Sequence, residues 1–231
     1  MFFSPSLDTV GFFTQEVAGI AHVAPLICKD WKAAGPETLP VLGVPDGPYL
    51  QQASPEALAA FEQQLSVLEK AGYIVRHVKA LSDIAAINQR NRQLMFAEMA
   101  RVHAPWFAQY ESLYRPRTAA AIREGQAVDD ETVTIARTDR ALVRAKFQVL
   151  MSQNSIDLWL APAATGPAPE GIETTGNPVM NLPWTHAGLP VITLPAGKAA
   201  NGLPLGLQCV ADYMADEKLV AWAEGISRLL A

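Results

Sequence analysis

Residues 39–78 read LPVLGVPDGPYLQQASPEALAAFEQQLSVLEKAGYIVRHV, and this stretch decides the layer architecture. LPVLGVP is short, apolar and stopped by the turn residues Asp46-Gly47-Pro48, which marks a strand. Ser54 then stands where a helix N-cap belongs, with Pro55 at the first helical position and Glu56 near the positive end. Leu58, Phe61, Leu65 and Leu68 follow at spacings of three and four, and Gly72 ends the helix. Tyr73 to Val78 reads as a second strand. A strand, a helix and a strand in 40 residues predict a βαβ unit, hence a parallel pair with a right-handed crossover.

Working outward, the chain keeps alternating. Residues 83–123 read as helical, weakly amphipathic and broken near Pro105 and Pro116. Asp129 or Asp130 opens another helix, in which Ile135, Leu142 and Val149 recur every seven residues. DLWLA (157–161) is a strand, as are the segments near 190–194 and 203–210. In the last of these Leu203, Leu205, Leu207 and Cys209 share one face. Asn201-Gly202 is the turn before it, and a final helix over 216–230 carries Leu219, Trp222, Ile226 and Leu229 on one stripe. The fold class expected is α/β: a mixed sheet covered by helices, in one domain over residues 1–231.

Composition excludes several functions. Half of the 231 residues are hydrophobic and 18% are charged, as in a globular protein. The net charge is −5 with no Lys/Arg block, so a nucleic-acid partner is not expected. Cys28 and Cys209 form no CxxC and no His is spaced for zinc, which predicts no metal, no cofactor and a reducing, cytoplasmic location. No apolar run is long enough to cross a bilayer, and the N-terminus carries no signal-peptide pattern.

The unusual segment is TTGNPVMNLPWTHAGLPVITLPAG, residues 174–197. It is too polar to be buried without partners and too apolar for a linker. Gly176 and Gly188 permit close backbone approach, Asn177 and Asn181 offer amide donors and acceptors, and Trp184 offers a flat apolar wall. The competing reading is that these residues only fold the loop, with Asn side chains capping its turns. A catalytic set is not visible. None of the nine serines has a glycine beside it, so no nucleophile elbow is present. Cys209 alternates with leucines and reads as a buried structural thiol, and His186 as a hydrogen-bonded loop residue before it reads as a base.

The stretches DLWLAPAATGPAP, TGNPVMNLPWTHAGLPVITLPAG, GLPLGLQCVA and DEKLVAWAEGI, in that order, resemble the C-terminal part of amidase signature enzymes. SPSLDTVGFFTQEVAGIA (4–21) resembles the segment that follows the family's catalytic serine stretch. The resemblance implies amide hydrolysis by a Ser nucleophile, a bridging Ser and a Lys, all in an N-terminal half without counterpart here. No residue of this chain is thereby implied as catalytic, Ser6, Lys29 and Lys32 included. What the resemblance does imply is a pocket wall at Thr175, Gly176, Asn177, Asn181, Trp184, Thr185 and His186. Ser4, Asp8, Thr9 and Gly11 are expected to pin the turn into the next helix.

The family's amidotransferase subunits carry an acidic residue in this loop, whereas GNPVMN has none, which implies a free-standing amidase. Two readings stand. In the first, the chain is the pocket-forming part of an amide hydrolase, inactive alone and acting on a small-molecule amide once an N-terminal half completes it. In the second, it is a self-contained, non-catalytic binding or interaction module. The first reading, with a sheet edge and an apolar face built for absent elements, expects association, a homo-oligomer included, and the second expects a clean monomer; neither involves a membrane.

Overall fold

The computed structural model describes residues 3–35 and 38–230. Helix α1 (Val17–Ile27) precedes the βαβ unit, whose parts are β1 (Leu42–Asp46), α2 (Pro55–Lys70) and β2 (Val75–Lys79). Ser54 caps α2 as its position requires, its Oγ accepting the Ala57 N–H at 3.2 Å. Next come α3 (Ile84–Tyr110), α4 (Pro116–Gln126) and α5 (Asp130–Gln153), then β3 (Leu158–Pro162). A short α6 (Leu182–Ala187), β4 (Val191–Lys198), β5 (Pro204–Val210) and α7 (Asp216–Leu230) complete the described chain.

The five strands form one mixed sheet in the order β2-β1-β3-β5-β4. β1 is parallel to both β2 and β3, while β5 runs antiparallel to β3 and β4. Gly43 sits where β1 meets β3, and a Cβ there would fall 2.9 Å from the Trp159 ring, so the indole packs directly on bare backbone. Each face of the sheet carries its own core. On one, Leu42, Val44, Leu158, Leu160, Leu207 and Cys209 pack against Phe61, Leu65 and Leu68 of α2 and Leu219 and Ile226 of α7. On the other, Trp159, Ala161 and Val210 meet Ile84 and Ile87 of α3, Val143, Phe147 and Met151 of α5, and Trp184 of α6.

Several expectations need correction. The strand expected from Tyr73 begins at Val75, and that expected to end near residue 194 continues to Lys198. Pro105 does not break α3, which runs through it to Tyr110. A proline costs an interior helix one hydrogen bond, and here the following turn is held by Phe107, buried with Met99, Ala119 and Ile122. Pro116 does mark a boundary, as the first residue of α4. Asp129 is the N-cap of α5, accepting the Thr132 N–H at 2.7 Å. The seven-residue repeat of α5 points outward: Ile135, Leu142 and Val149 are exposed, while Val133, Ala136, Val143, Phe147 and Met151 are buried.

Candidate active-site wall

The parallel strands β1, β2 and β3 end on one edge of the sheet, and the chain leaves β3 there into residues 163–177. Asn177 turns it into a 3-10 turn, Pro178–Met180, by accepting the Val179 N–H on Oδ1 at 3.2 Å. Thr174 Oγ1 accepts the Gly176 N–H at 3.1 Å, and Gly176 has the positive φ of 98° that a side chain would resist. Asn181 Nδ2 donates to the Ala163 carbonyl at 3.4 Å, joining the two ends of the excursion. The segment thus contains a helix, α6, where the sequence suggested only loop.

One buried polar knot fixes where this segment sits. The Met180 carbonyl accepts Tyr49 Oη at 2.7 Å and Gln208 Nε2 at 3.2 Å, and Tyr49 Oη accepts Trp184 Nε1 at 2.9 Å. Tyr49, Gln208, Met180 and Trp184 are all fully buried. Burial holds the Tyr49 phenol far above the ordinary tyrosine range, so it stays a neutral donor. The Trp184 ring lies edge-on to Tyr49 at 5.5 Å and 4.8 Å from Phe147.

A second arrangement holds α6 from below. His186 is fully buried with Nε2 3.1 Å from Asp139 Oδ2, while Asp139 Oδ1 accepts Arg90 Nη1 at 2.9 Å. A carboxylate only accepts, so Nε2 carries the hydrogen and Nδ1, without a partner among the described residues, is the bare nitrogen. Burial pushes the His186 pKa down and the Asp139 contact only partly offsets it, so the ring is neutral. Arg140 Nε donates to the His186 carbonyl at 3.0 Å and Arg144 Nε to the Ala187 carbonyl at 2.7 Å. These guanidiniums complete the carbonyl end of α6, and Gly188, at φ 70°, closes it.

The seven sequence-derived site residues therefore separate. Thr175, Gly176 and Asn177 are exposed, and Asn181 and Thr185 are half-buried. Trp184 and His186 point into the interior and present no surface. None of the seven lines the small cavity of about 50 Å³ beside the same edge, between Ala57, Gln64, Pro162, Gly166 and Gly206. Cys209 is buried with its thiol pushed up to about 12, which suits packing and not nucleophilic attack. Sequence reasoning missed Tyr49, Asp139, Arg140, Arg144 and Gln208. Only Gln208 left a trace, as a polar residue inside an apolar strand.

An open α/β sheet takes its ligands at the carboxyl ends of its parallel strands, and residues 163–181 occupy that edge. The chain belongs to the amidase family, whose model matches residues 2–220. Among relatives, a glutamyl-tRNA(Gln) amidotransferase subunit from Neisseria gonorrhoeae (strain NCCP11945) is 38% identical over 93 residues, 38% of this chain and 19% of the relative. Its counterpart from Xanthobacter autotrophicus is 35% identical over 99 residues, 39% of this chain and 20% of the relative. A solved amidase superposes with a TM-score of 0.89 at 24% identity, covering 100% of this chain and 55% of that one. The glutamyl-tRNA(Gln) amidotransferase subunit from Thermotoga maritima gives a TM-score of 0.73 at 23% identity, over 97% of this chain and 53% of that one. The matches thus take in about a fifth of the relatives' length and just over half of the solved chains.

Proposed function

We propose that this chain supplies the substrate-facing wall of an amide hydrolase acting on small carboxamides, with the Ser-Ser-Lys set contributed from outside these 231 residues. The observation that carries the reading is the mounting of residues 174–181. An exposed turn rich in amide and hydroxyl groups hangs on the carboxyl edge of the parallel strands, while its far end is anchored by two donors on the Met180 carbonyl. A wall that orients a substrate must be held rigidly by what lies behind it. In this reading Thr175, Gly176, Asn177, Asn181 and Thr185 face the substrate, and Trp184 and His186 hold them in place. The absence of an acidic side chain from GNPVMN favours a neutral amide over a substrate bearing an amino group.

The test is reconstitution. The chain is produced with and without the N-terminal half of a family relative, and ammonia release from acetamide, propionamide and an aryl amide is followed. The expected result is no turnover by the chain alone and turnover by the combination. Asn177→Ala and Asn181→Ala should then alter the preference among the three amides, since one lost pocket contact shifts selectivity by about 1–3 kcal/mol. A thermal melt of each variant separates that change from the loss of its bond to the Val179 N–H or the Ala163 carbonyl. Hydrolysis by the chain alone, or a reconstituted enzyme indifferent to both changes, refutes the assignment. A complex that forms, binds amides and never turns over would mark the chain as a non-catalytic binding module.

A further inference from the structure

Helix α5 has a second apolar face that the fold does not use. Opposite its buried residues, Ile135, Leu142 and Val149 are 53%, 56% and 51% exposed. The exposed Thr138, Ala145 and Ser152 interleave with them. A solvated helix surface ordinarily carries charge, whereas Arg137, Arg140 and Arg144 turn to the other side of the helix, toward Glu98 and the carbonyls of α6. Apolar side chains seven residues apart, alternating with small ones, keep one line of contact turned toward a neighbouring helix. Beside them opens a groove of about 310 Å³, lined by Arg90, Thr134, Ile135, Thr138, Asp139 and Leu142.

The charges at the two ends of the stripe say what fits it. Glu131 stands at the N-terminal end and Lys146 beside the C-terminal part, both exposed. In a second α5 laid antiparallel, with Ile135 opposite the partner's Leu142, Glu131 comes opposite the partner's Lys146. Both pairs are centred on the same point, between Thr138 and Asp139. The two-fold axis through that point repeats each contact, giving two aliphatic pairs and two ion pairs, and it passes beside the groove that receives the partner's aliphatic side chain. A parallel, in-register pair would set Glu131 against Glu131 and Lys146 against Lys146. Lys146 already donates to Asp83 at 2.9 Å, and its ammonium has further hydrogens to give.

We propose that this face of α5 is a homodimer interface in which two copies of the chain pair antiparallel about an axis between Thr138 and Asp139. From Glu131 to Lys146 the contact runs about 22 Å at 1.5 Å per residue. A contact of that length is small, so the dimer dissociates on dilution.

Sedimentation velocity of the full chain across micromolar concentrations tests this. The wild type is expected to move from monomer to dimer as concentration rises. Leu142→Glu should weaken the dimer at least ~10-fold with unchanged melting of the monomer, because the position is exposed. Glu131→Lys should weaken it less while lowering the monomer's melting slightly, because it puts a cation in the first turn of α5. Orientation is read by crosslinking on a Cys28→Ser background under copper-phenanthroline oxidation. Thr138→Cys, close to the axis, should yield a disulfide-linked dimer, and Ser152→Cys, far from it, should not. A wild type that stays monomeric overturns the proposal. So does a dimer indifferent to Leu142→Glu, or one in which Ser152→Cys crosslinks as readily as Thr138→Cys.

Discussion

The indole N–H of Trp184 donates to the Tyr49 phenol at 2.9 Å, and that phenol passes its own hydrogen to the Met180 carbonyl 2.7 Å away. The pair links the core behind the sheet to the turn that carries Asn177 and Asn181. Tyr49→Phe keeps the ring and its edge contact but removes the oxygen that both neighbours use. Trp184 Nε1 is then a buried donor without a partner, and Met180 keeps only Gln208. The expected loss is about 1–3 kcal/mol, because an unsatisfied buried group costs its full desolvation. Urea unfolding measures it. In a reconstituted enzyme, amide exchange over residues 178–182 should also rise.

The Asp139–His186 contact predicts a pH dependence. His186 is held neutral in the fold because burial disfavours its charged form, so its folded pKa lies below the unfolded value of about 6.5. Above that value both states carry a neutral ring and the fold loses nothing. As pH falls below it, the unfolded chain binds a proton that the folded chain refuses, and stability declines toward the lower folded pKa. Arg90 and Arg140 nearby add to the resistance, and Asp139 partly relieves it. The urea midpoint of the wild type should therefore fall more steeply than that of His186→Gln between about pH 6.5 and pH 5. Parallel curves would show that His186 binds its proton equally well in the folded and unfolded chain, so that burial does not disfavour its charge.

The βαβ unit was legible because its signals are local: Ser54 caps the helix three residues ahead, and Gly72 ends it. α5 was legible as a helix but not in its orientation. Its most regular apolar repeat, Ile135–Leu142–Val149, is the exposed one, and the buried side includes Asp139, which a hydrophobic pattern passes over. Residues 174–186 stood out by composition, yet the inward turn of Trp184 and His186 could not be read. Their partners, Tyr49 and Asp139, lie 135 and 47 positions away. Polar knots of that span form only once the sheet has brought its segments together, and no periodicity records them.

Glu98 ties the N-terminal segment to α3. Its carboxylate accepts Ser4 Oγ at 2.8 Å, the Ser6 N–H at 2.9 Å, Ser6 Oγ at 2.5 Å and Arg137 Nη2 at 2.7 Å. Burial opposes its ionisation, but the hydrogen bonds from Ser6, Arg137 and Ser4 outweigh it and hold its pKa below the usual carboxylate range. Its share of stability is thus present above the ordinary glutamate pKa and lost as acid protonates the folded form. Glu98→Ala should release residues 3–8 from α3. Limited proteolysis should then clip that segment at neutral pH, with Glu98→Gln intermediate, since the amide keeps one acceptor and loses the charge. An uncut Glu98→Ala protein would mean that the Asp8 turn, which accepts the Phe3 and Ser4 N–H groups, suffices.

Gly188 and Arg144 together set the end of α6. Gly188 adopts φ 70° and ψ 35°, and the Leu189 N–H reaches back to the Trp184 carbonyl at 3.0 Å, closing the helix. Arg144 gives its Nε to the Ala187 carbonyl and lays its guanidinium over Tyr213, 3.7 Å from the ring centre. A Cβ on Gly188 would meet Arg144 Nη2 at 3.1 Å, so Gly188→Ala both strains the backbone and crowds the cap. The left-handed conformation alone costs an alanine about 1–2 kcal/mol. Arg144→Ala removes the crowding but also the donor and the stacking. If the guanidinium caps α6, Arg144→Ala should destabilise the protein on its own. The double variant should then lose less than the two single losses added, because the clash disappears with the side chain. A double-mutant cycle by urea unfolding reads this directly. Strict additivity would show that Gly188 answers to backbone geometry alone, and an Arg144→Ala protein as stable as the wild type would show that Arg144 does not hold the helix that carries Trp184 and His186.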